Sequence, residues 1–500
     1  MNTERSSGIL LHPTSLPGKY GIGTLGKESF HFIDFLAKSK QKLWQILPLG
    51  PTGFADSPYQ CFSSSAGNPL LIDLDTLVKE GLLDKKDLDK LDPFDDGPVD
   101  YGRVIQTKYP LLRKAMQAFR EHAGKEHNKD FFEFTVNNKK WLEDYALFMS
   151  LKEHFKQKPW YQWVKPLKMR NKTALKPFHS LLSDNIEFHK FIQYLFFRQW
   201  LVVKDYAHQK NIRIIGDIPL YVALDSVDAW VNTDLFQFDA EKNPIVVGGV
   251  PPDYFSSTGQ LWGNPLYRWD VLHKDHYRWW IERIKSNLVL YDIIRIDHFR
   301  GFAAYWAVPY GEKTAINGKW IPCPGKELFE QIRKELGKIP IIAEDLGVIT
   351  QDVEDLRDSF GLPGMKILQF AFDSSEANDY LPHNFIKNCV VYTGTHDNDT
   401  IKGWFGKAKQ EDRKYVLDYL DSTEKEICTD FLRLAWASVA HTAIVPMQDL
   451  LELGDEGRMN LPGTTKNNWM WRAKSRDFST ELAQRLAHLT VLYGRTHKGK

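Results

Sequence analysis

The sequence predicts an α/β fold, a (β/α)8 TIM barrel with inserted subdomains, on three observations. Eight short apolar runs of the kind that fill fully buried parallel strands lie near residues 8–12, 43–49, 212–218, 291–297, 340–345, 365–370, 389–395 and 441–447. Stretches of helical period separate several of them, and this alternation points to a parallel barrel rather than a sandwich or a bundle. Three runs end at their carboxyl side in an acid: Asp297 in Ile293-Ile-Arg-Ile-Asp-His-Phe299, Glu344 in Pro340-Ile-Ile-Ala-Glu-Asp345, and Asp397 in Val390-Val-Tyr-Thr-Gly-Thr-His-Asp397. Parallel strands bury both faces, so such acids belong at the rim. Three rims converge on one substrate only where the sheet closes or nearly closes.

Taken in order, the first run leads into Gly21-Ile-Gly-Thr-Leu-Gly26 and a helical pattern at Phe30, Ile33 and Phe35. The glycine spacing is that of a dinucleotide fingerprint, but no acid stands between Phe35 and Ala55 to hold a ribose, so these glycines read as a tight turn. Residues 75–205 are too long for a simple crossover and carry helical patterns, a charge-rich Asp84–Asp95 stretch and the aromatic-dense Trp160–Trp163. They predict an inserted helical subdomain. Residues 219–275, rich in Pro, Gly and aromatics, predict a second, lid-bearing insert around Val250-Pro-Pro-Asp-Tyr-Phe255. Tyr277, Trp280, Ile281, Ile284 and Leu288 predict the helix before the fourth run. Leu328, Ile332 and Leu336 predict the one before the fifth, ending at Gly337. Leu482, Leu486, Leu489 and Tyr493 mark a closing helix, so residues 1–500 read as one catalytic barrel with two insertions.

Composition narrows the chemistry. A 500-residue chain with 43% hydrophobic content supports a large core, and a formal net charge of +1 argues against a nucleic-acid partner and for a neutral substrate. Cys61, Cys323, Cys389 and Cys428 are far apart with no CxxC, which suggests reduced thiols rather than a zinc site or a disulfide framework. The N-terminus lacks a secretory apolar core and no run reaches bilayer length, so the expectation is a cytoplasmic protein that engages no membrane.

On a strand, residues two apart share a face, so Arg295 and Asp297 should both turn toward the barrel mouth while Ile294 and Ile296 face the helices. Glycosidic chemistry needs one ionised and one protonated carboxyl group. An Arg beside Asp297 keeps it ionised, and the apolar run before Glu344 favours its protonated form, with Asp345 facing the other way. Asp297 then reads as nucleophile and Glu344 as acid/base. The fourth and fifth strands are neighbours, which would place their tips roughly 5–5.5 Å apart, the separation of a retaining enzyme. Asp397 would face the sugar from the other side with His396. Asn398 and Asp399 are also common turn residues. The chain holds 16 Trp, 20 Tyr and 30 Phe. Tyr59, Tyr254, Phe255, Trp262, Trp469 and Trp471 fall in the expected mouth loops, where aromatic planes stack on sugar faces.

Ser57-Pro-Tyr-Gln60, Gly67-Asn-Pro69, Gly216-Asp-Ile-Pro-Leu-Tyr-Val222, Pro251-Pro-Asp-Tyr-Phe255, Arg295-Ile-Asp-His-Phe-Arg-Gly301, Ala343-Glu-Asp-Leu-Gly347, Thr395-His-Asp-Asn398 and Asn460-Leu-Pro-Gly463 together resemble the 4-alpha-glucanotransferases, or amylomaltases. The resemblance runs from about residue 8 to the C-terminus. It implies a barrel without the separate C-terminal β-domain of the related α-amylases, with Asp297 as nucleophile, Glu344 as acid/base and Asp397 as transition-state stabiliser. It further implies sugar contacts at Tyr59, Arg295, His396 and the Asp253-Tyr254 lid, to which the residue pattern adds Trp262. The implied reaction is transfer of α-1,4-glucan segments to glucose or maltooligosaccharide acceptors, with no cofactor and no metal.

Three other readings stay beside it. A retaining α-glucan hydrolase would share the first half-reaction. A metal-dependent barrel hydrolase would use Asp297, His298, Glu344, His396 and Asp397 as ligands, although no H-x-H or HExxH spacing occurs. A non-catalytic glucan-binding protein would not need both Asp297 and Glu344. Oligomeric state is not legible.

Overall fold

The computed structural model describes residues 4–122, 125–252, 256–373 and 378–496. Among the described residues, twelve strands form two sheets. They are β1 (Ser6–Leu10), β2 (Leu43–Gln45), β3 (Arg213–Ile218), β4 (Val246–Val250), β5 (Gln260–Pro265), β6 (Ile293–Ile296), β7 (Ala304–Pro309), β8 (Lys319–Pro322), β9 (Ile341–Ala343), β10 (Gly364–Ile367), β11 (Cys389–Tyr392) and β12 (Thr442–Pro446). The larger sheet runs β10-β11-β12-β1-β2-β3-β6-β9, with every pairing parallel. Between its two ends the Ala343 N–H donates to the Pro363 carbonyl at 3.0 Å, and the Met365 N–H to Asp345 Oδ1 at 2.7 Å. These bonds bring β9 to β10 and close an eight-stranded barrel. All eight apolar runs of the sequence become its strands.

The side-chain alternation is the one that parallel strands impose. Ile215, Ile293, Ile342, Val390 and Ile444 fill the barrel interior, while Ile214, Ile294, Ile296, Val391 and Val445 pack under the helices. Each of these side chains contributes on the order of 1.5–3 kcal/mol by leaving water. Gly216 is required by a close approach, because a Cβ there would lie 2.0 Å from the Tyr291 ring. The predicted helices occupy Lys27–Lys38, Arg278–Leu290, Gly325–Leu336 and Thr480–Leu492. Gly337, at φ 73°, ends the third of these in a conformation that costs other residues energy.

Between β2 and β3 the described chain is helical, from Leu74–Lys79 to the 27-residue helix Ser183–Gln209. That last helix returns to the barrel, where Trp200 Nε1 donates to the Leu290 carbonyl at 3.0 Å. It serves as the crossover into β3, while the helices before it stand outside the barrel rhythm. The smaller sheet is antiparallel in the order β5-β4-β7-β8 and draws on two chain segments, 246–265 and 304–322, on either side of β6. Its strands are short, partly exposed and punctuated by Gly and Pro, so an apolar-run reading passes over them. After β12 the described residues contain no further strand. No helix among the described residues is long and apolar enough to cross a membrane.

Candidate active site

At the carboxyl ends of the barrel strands lies a cleft of about 460 Å³. Tyr59, Trp262, Arg295, Asp297, Glu344, His396 and Asp397 all line it. Asp253 and Tyr254, together with Phe255, lie outside the described residues, but Val250 and Pro251 on their amino side line the same cleft. Trp469 also lines it. Trp471 instead packs, half-buried, against the hydrophobic core and is not part of the lining.

Asp297 follows β6 and is 30% exposed at its side chain. Arg295 is buried on the interior face of β6, and its Nη1 donates both to Asp297 Oδ1 at 3.0 Å and to Asp217 Oδ2 at 2.7 Å. Burial opposes the charge on Arg295, but Asp217 and Asp297 outweigh it and raise its pKa. Tyr59 adds a bond from its hydroxyl to the same Asp217 oxygen, at 2.8 Å. Burial, with Asp217 next, keeps that hydroxyl protonated and therefore a donor.

Glu344 follows β9, the strand paired with β6 in the register Ile296 to Ala343, so Asp297 and Glu344 occupy the next rung of adjacent strands. Its Oε2 accepts the His298 N–H at 2.6 Å and its Oε1 the Leu346 N–H at 3.0 Å. His298 presents that N–H from the left-handed region, at φ 52°, a conformation that costs a non-glycine residue on the order of 1 kcal/mol. Burial first, and then the charge on Asp297, push the Glu344 carboxyl up to about 8, against the pull of Arg295 and the two N–H donors. Two acids on adjacent strand tips thus sit in opposite settings, one paired with an arginine and partly open, the other buried and protonated at neutral pH. Asp345 turns away to Arg357, at 2.6 Å, and to β10.

Across the cleft, Asp397 is 48% exposed and is held by side chains from other loops. Asn460 Nδ2 donates to its Oδ1 at 2.7 Å, and Arg458 Nη2 donates to its carbonyl at 3.0 Å. His396 Nε2 stands 3.5 Å from the same Oδ1. The imidazole stacks on Tyr59, with centroids 5.1 Å apart and planes at 17°, and burial lowers its pKa, so it is neutral at neutral pH. Asn398 and Asp399 form the turn: Asn398 Oδ1 accepts the Thr395 N–H and hydroxyl, and Asp399 accepts from Lys407 at 2.7 Å. Trp262 meets the edge of His298 at 4.8 Å on the wall built by the antiparallel sheet.

Asp217, Asn460 and Arg458 are the site residues that the sequence reading did not single out. A signal for Asp217 existed, since Gly216-Asp-Ile218 ends the third apolar run in an acid as the other three do. Asn460 stood first in the Asn460-Leu-Pro-Gly463 motif, but nothing local tied it or Arg458 to Asp397, about sixty residues away in the chain. The glycines at 21, 23 and 26 serve packing: a Cβ on Gly23 would meet the Pro13 carbonyl oxygen at 2.0 Å and one on Gly26 the Asp73 carboxyl at 2.3 Å. Among the described residues no three His, Cys, Asp or Glu side chains are grouped as a metal ion would need.

A family model described as 4-alpha-glucanotransferase matches residues 11–478. The chain belongs to the 4-alpha-glucanotransferase family. It is 52% identical to the 4-alpha-glucanotransferase of Synechocystis over 99% of each chain, and 50% identical to that of Clostridium butyricum over 97% of this chain and all of the relative. The solved amylomaltase of Streptococcus agalactiae, in complex with acarbose, superposes with a TM-score of 0.96 at 43% identity, covering 99% of this chain and 100% of that one. The activity that goes with this membership is 4-alpha-glucanotransfer on α-1,4-glucans. For such a 4-alpha-glucanotransferase, a cleft walled by tryptophan and proline and floored by carboxylates supplies both surfaces a glucan needs, apolar planes and hydroxyl partners.

Proposed function

We propose that the enzyme works by retaining double displacement. Asp297 attacks the anomeric carbon of the donor while Glu344 gives its proton to the leaving sugar oxygen. Glu344 then takes a proton from the 4-hydroxyl of the acceptor, which displaces Asp297 and restores the α-1,4 bond. The observation that carries this reading is the opposed setting of the two acids: Arg295 pairs with Asp297, and burial keeps the proton on Glu344. Their adjacent rungs support retention over inversion. Asp397 and the neutral His396 face the sugar from the other wall and hydrogen-bond its hydroxyls as the ring flattens. Tyr59 and Trp262 give it apolar surface.

Glucose or a maltooligosaccharide serves as acceptor. For that, the glycosyl-enzyme must be shielded from water until an acceptor arrives. Trp262, Trp469, Pro251 and Pro462 supply an apolar rim, and the lid role expected of Asp253 and Tyr254 belongs to this proposal. The four unpaired thiols fit a cytoplasmic setting, and the cleft chemistry calls on no cofactor and no metal.

Incubation with maltotriose alone tests the reading. It should give glucose and a ladder of longer maltooligosaccharides, with the number of reducing ends nearly constant. A steady rise in reducing ends without longer products would mean a hydrolase. A slow fluorinated glucosyl donor should add one hexose to a peptide containing Asp297, and a label on any other carboxylate refutes the assignment. Tyr254→Ala should shift the product balance toward hydrolysis, and an unchanged ratio would leave Tyr254 with no part in excluding water.

A further inference from the structure

The loop that carries His396 and Asp397 leaves β11 at Thr393 and ends where the helix Ile401–Lys407 begins. Both of its ends meet one buried side chain. Asp449 Oδ2 accepts the Thr393 hydroxyl at 2.7 Å, and Asp449 Oδ1 accepts the Ile401 N–H at 2.9 Å. Asp449 is 4% exposed and stands on the short helix Met447–Leu450 that follows β12. It is one more acid just beyond an apolar run, in Thr442-Ala-Ile-Val-Pro-Met-Gln-Asp449, yet it does not line the substrate cleft.

We propose that Asp449 is a positioning residue: by holding Thr393 and Ile401 to one group it fixes both ends of this loop, and so sets where Asp397 and His396 meet the sugar. A carboxylate suits the task because it accepts at both oxygens, so donors from two points of the chain are held at the width of a single group. Thr393 is fully buried, and its hydroxyl would go unsolvated if it parted from Asp449. The loop therefore cannot drift off this anchor without leaving buried donors unpaired. Placement matters here, because an error of about 1 Å in a catalytic contact can cost on the order of 100-fold in rate.

In the barrel β11 lies between β10 and β12, and the other neighbour adds a tether of its own. Gln369, just after β10, donates from Nε2 to the Asp399 carbonyl at 2.7 Å. Gly394 lets that side chain in, since a Cβ there would lie 2.7 Å from Gln369 Nε2. The loop is thus anchored at its roots beside both adjacent strands. Toward its tip, Asn398 closes the turn, and Asn460 and Arg458 hold Asp397 from another loop. Movement that follows the sugar is left to the tip, and Asp449 sets the point from which the tip is carried.

The inference rests on Asp397 as a transition-state contact, and the test separates the two. Thr393→Val deletes one arm of the clamp at nearly constant volume and should lower kcat on maltotriose about 10-fold, whereas Thr393→Ser, which keeps the hydroxyl, should stay within about twofold of the unaltered enzyme. The deciding measurement is Thr393→Val in an Asp397→Asn background, with every variant assayed well below its own Tm. Where the contact being positioned is already lost, Thr393→Val should cost no more than about threefold, the share that falls on His396. A merely structural role would cost the same in both backgrounds. An unchanged kcat in Thr393→Val alone, or an equal loss with Asp and with Asn at 397, overturns the proposal. If Thr393→Val does not fold, Thr393→Ala takes its place in the same cycle. Near-normal turnover in Asp397→Asn by itself would instead remove the reading of Asp397, and the clamp's purpose with it.

Discussion

The two walls of the cleft are built differently. Asp217, Arg295, Asp297 and Glu344 stand on or directly after β3, β6 and β9, and are held by one another and by backbone N–H groups of the strand ends. Asp397 and His396 stand on a loop after β11, half of Asp397 is open to solvent, and its partners Asn460 and Arg458 come from another loop. The strand wall is close to rigid, since moving any member breaks barrel pairing. The loop wall costs only a few side-chain bonds to displace. In the proposed mechanism, the chemistry that needs fixed distances falls on the first wall, and the contacts that follow a distorting, departing sugar fall on the second.

The sharpest way to break this comparison is to change the strand wall. Asp297→Asn should lower kcat by roughly 10⁴-fold or more, while maltooligosaccharides still bind in a calorimetric titration. Near-normal turnover would remove Asp297 from the chemistry. Glu344→Gln should cost on the order of 10²–10⁴-fold with maltotriose and much less with glucosyl fluoride, whose leaving group needs no proton. An equal loss on both donors would argue against an acid role. On the loop wall, Asp397→Asn should cost roughly 10²–10³-fold in kcat, the scale of one transition-state contact. Asn460→Ala should cost about 10-fold, as expected when one hydrogen bond to a carboxylate goes. If Asn460→Ala matched Asp397→Asn, the loop wall would be as demanding as the strand wall and the contrast would fail.

pH offers the finest test. As the proposed acid, Glu344 carries its proton into the first half-reaction, so the rate of glycosylation should fall as pH rises through about 8, and Glu344→Gln should lose that limb. Stability follows the same group. Its folded pKa, about 8, lies above the 4.5 of the free side chain, so the folded state binds the extra proton between those values. The contribution is complete below about 4.5 and is lost as pH rises through 8. Thermal melting across that window should show Tm falling less in Glu344→Gln than in the unaltered enzyme, and parallel curves would mean that the carboxyl is not buried as described.

How much of this was legible varies with how local the signal is. All eight barrel strands and the helices at 278–290, 325–336 and 480–492 were readable, because periodicity within ten residues reports which faces are buried. That Asp297, Glu344 and Asp397 line one cleft was readable from an acid following an apolar run. The antiparallel sheet was not, since its strands are short and partly exposed, and its two hairpins, β4–β5 and β7–β8, are joined only by the β4–β7 pairing of residues about sixty apart in the chain. Asp217 carried the acid signal yet no hint of its partners.

The sequence by itself determined the barrel, the rim position of its acids and the apolar character of the mouth, because burial periodicity and strand-end chemistry are properties of contiguous residues. Only the tertiary structure decided that Arg295 is shared between Asp217 and Asp297, that His298 turns left-handed to give its N–H to Glu344, and that Asn460 and Arg458 reach across to Asp397. Those depend on closing the sheet, which sets distances of a few ångströms between residues far apart in the chain, and no local pattern encodes a distance.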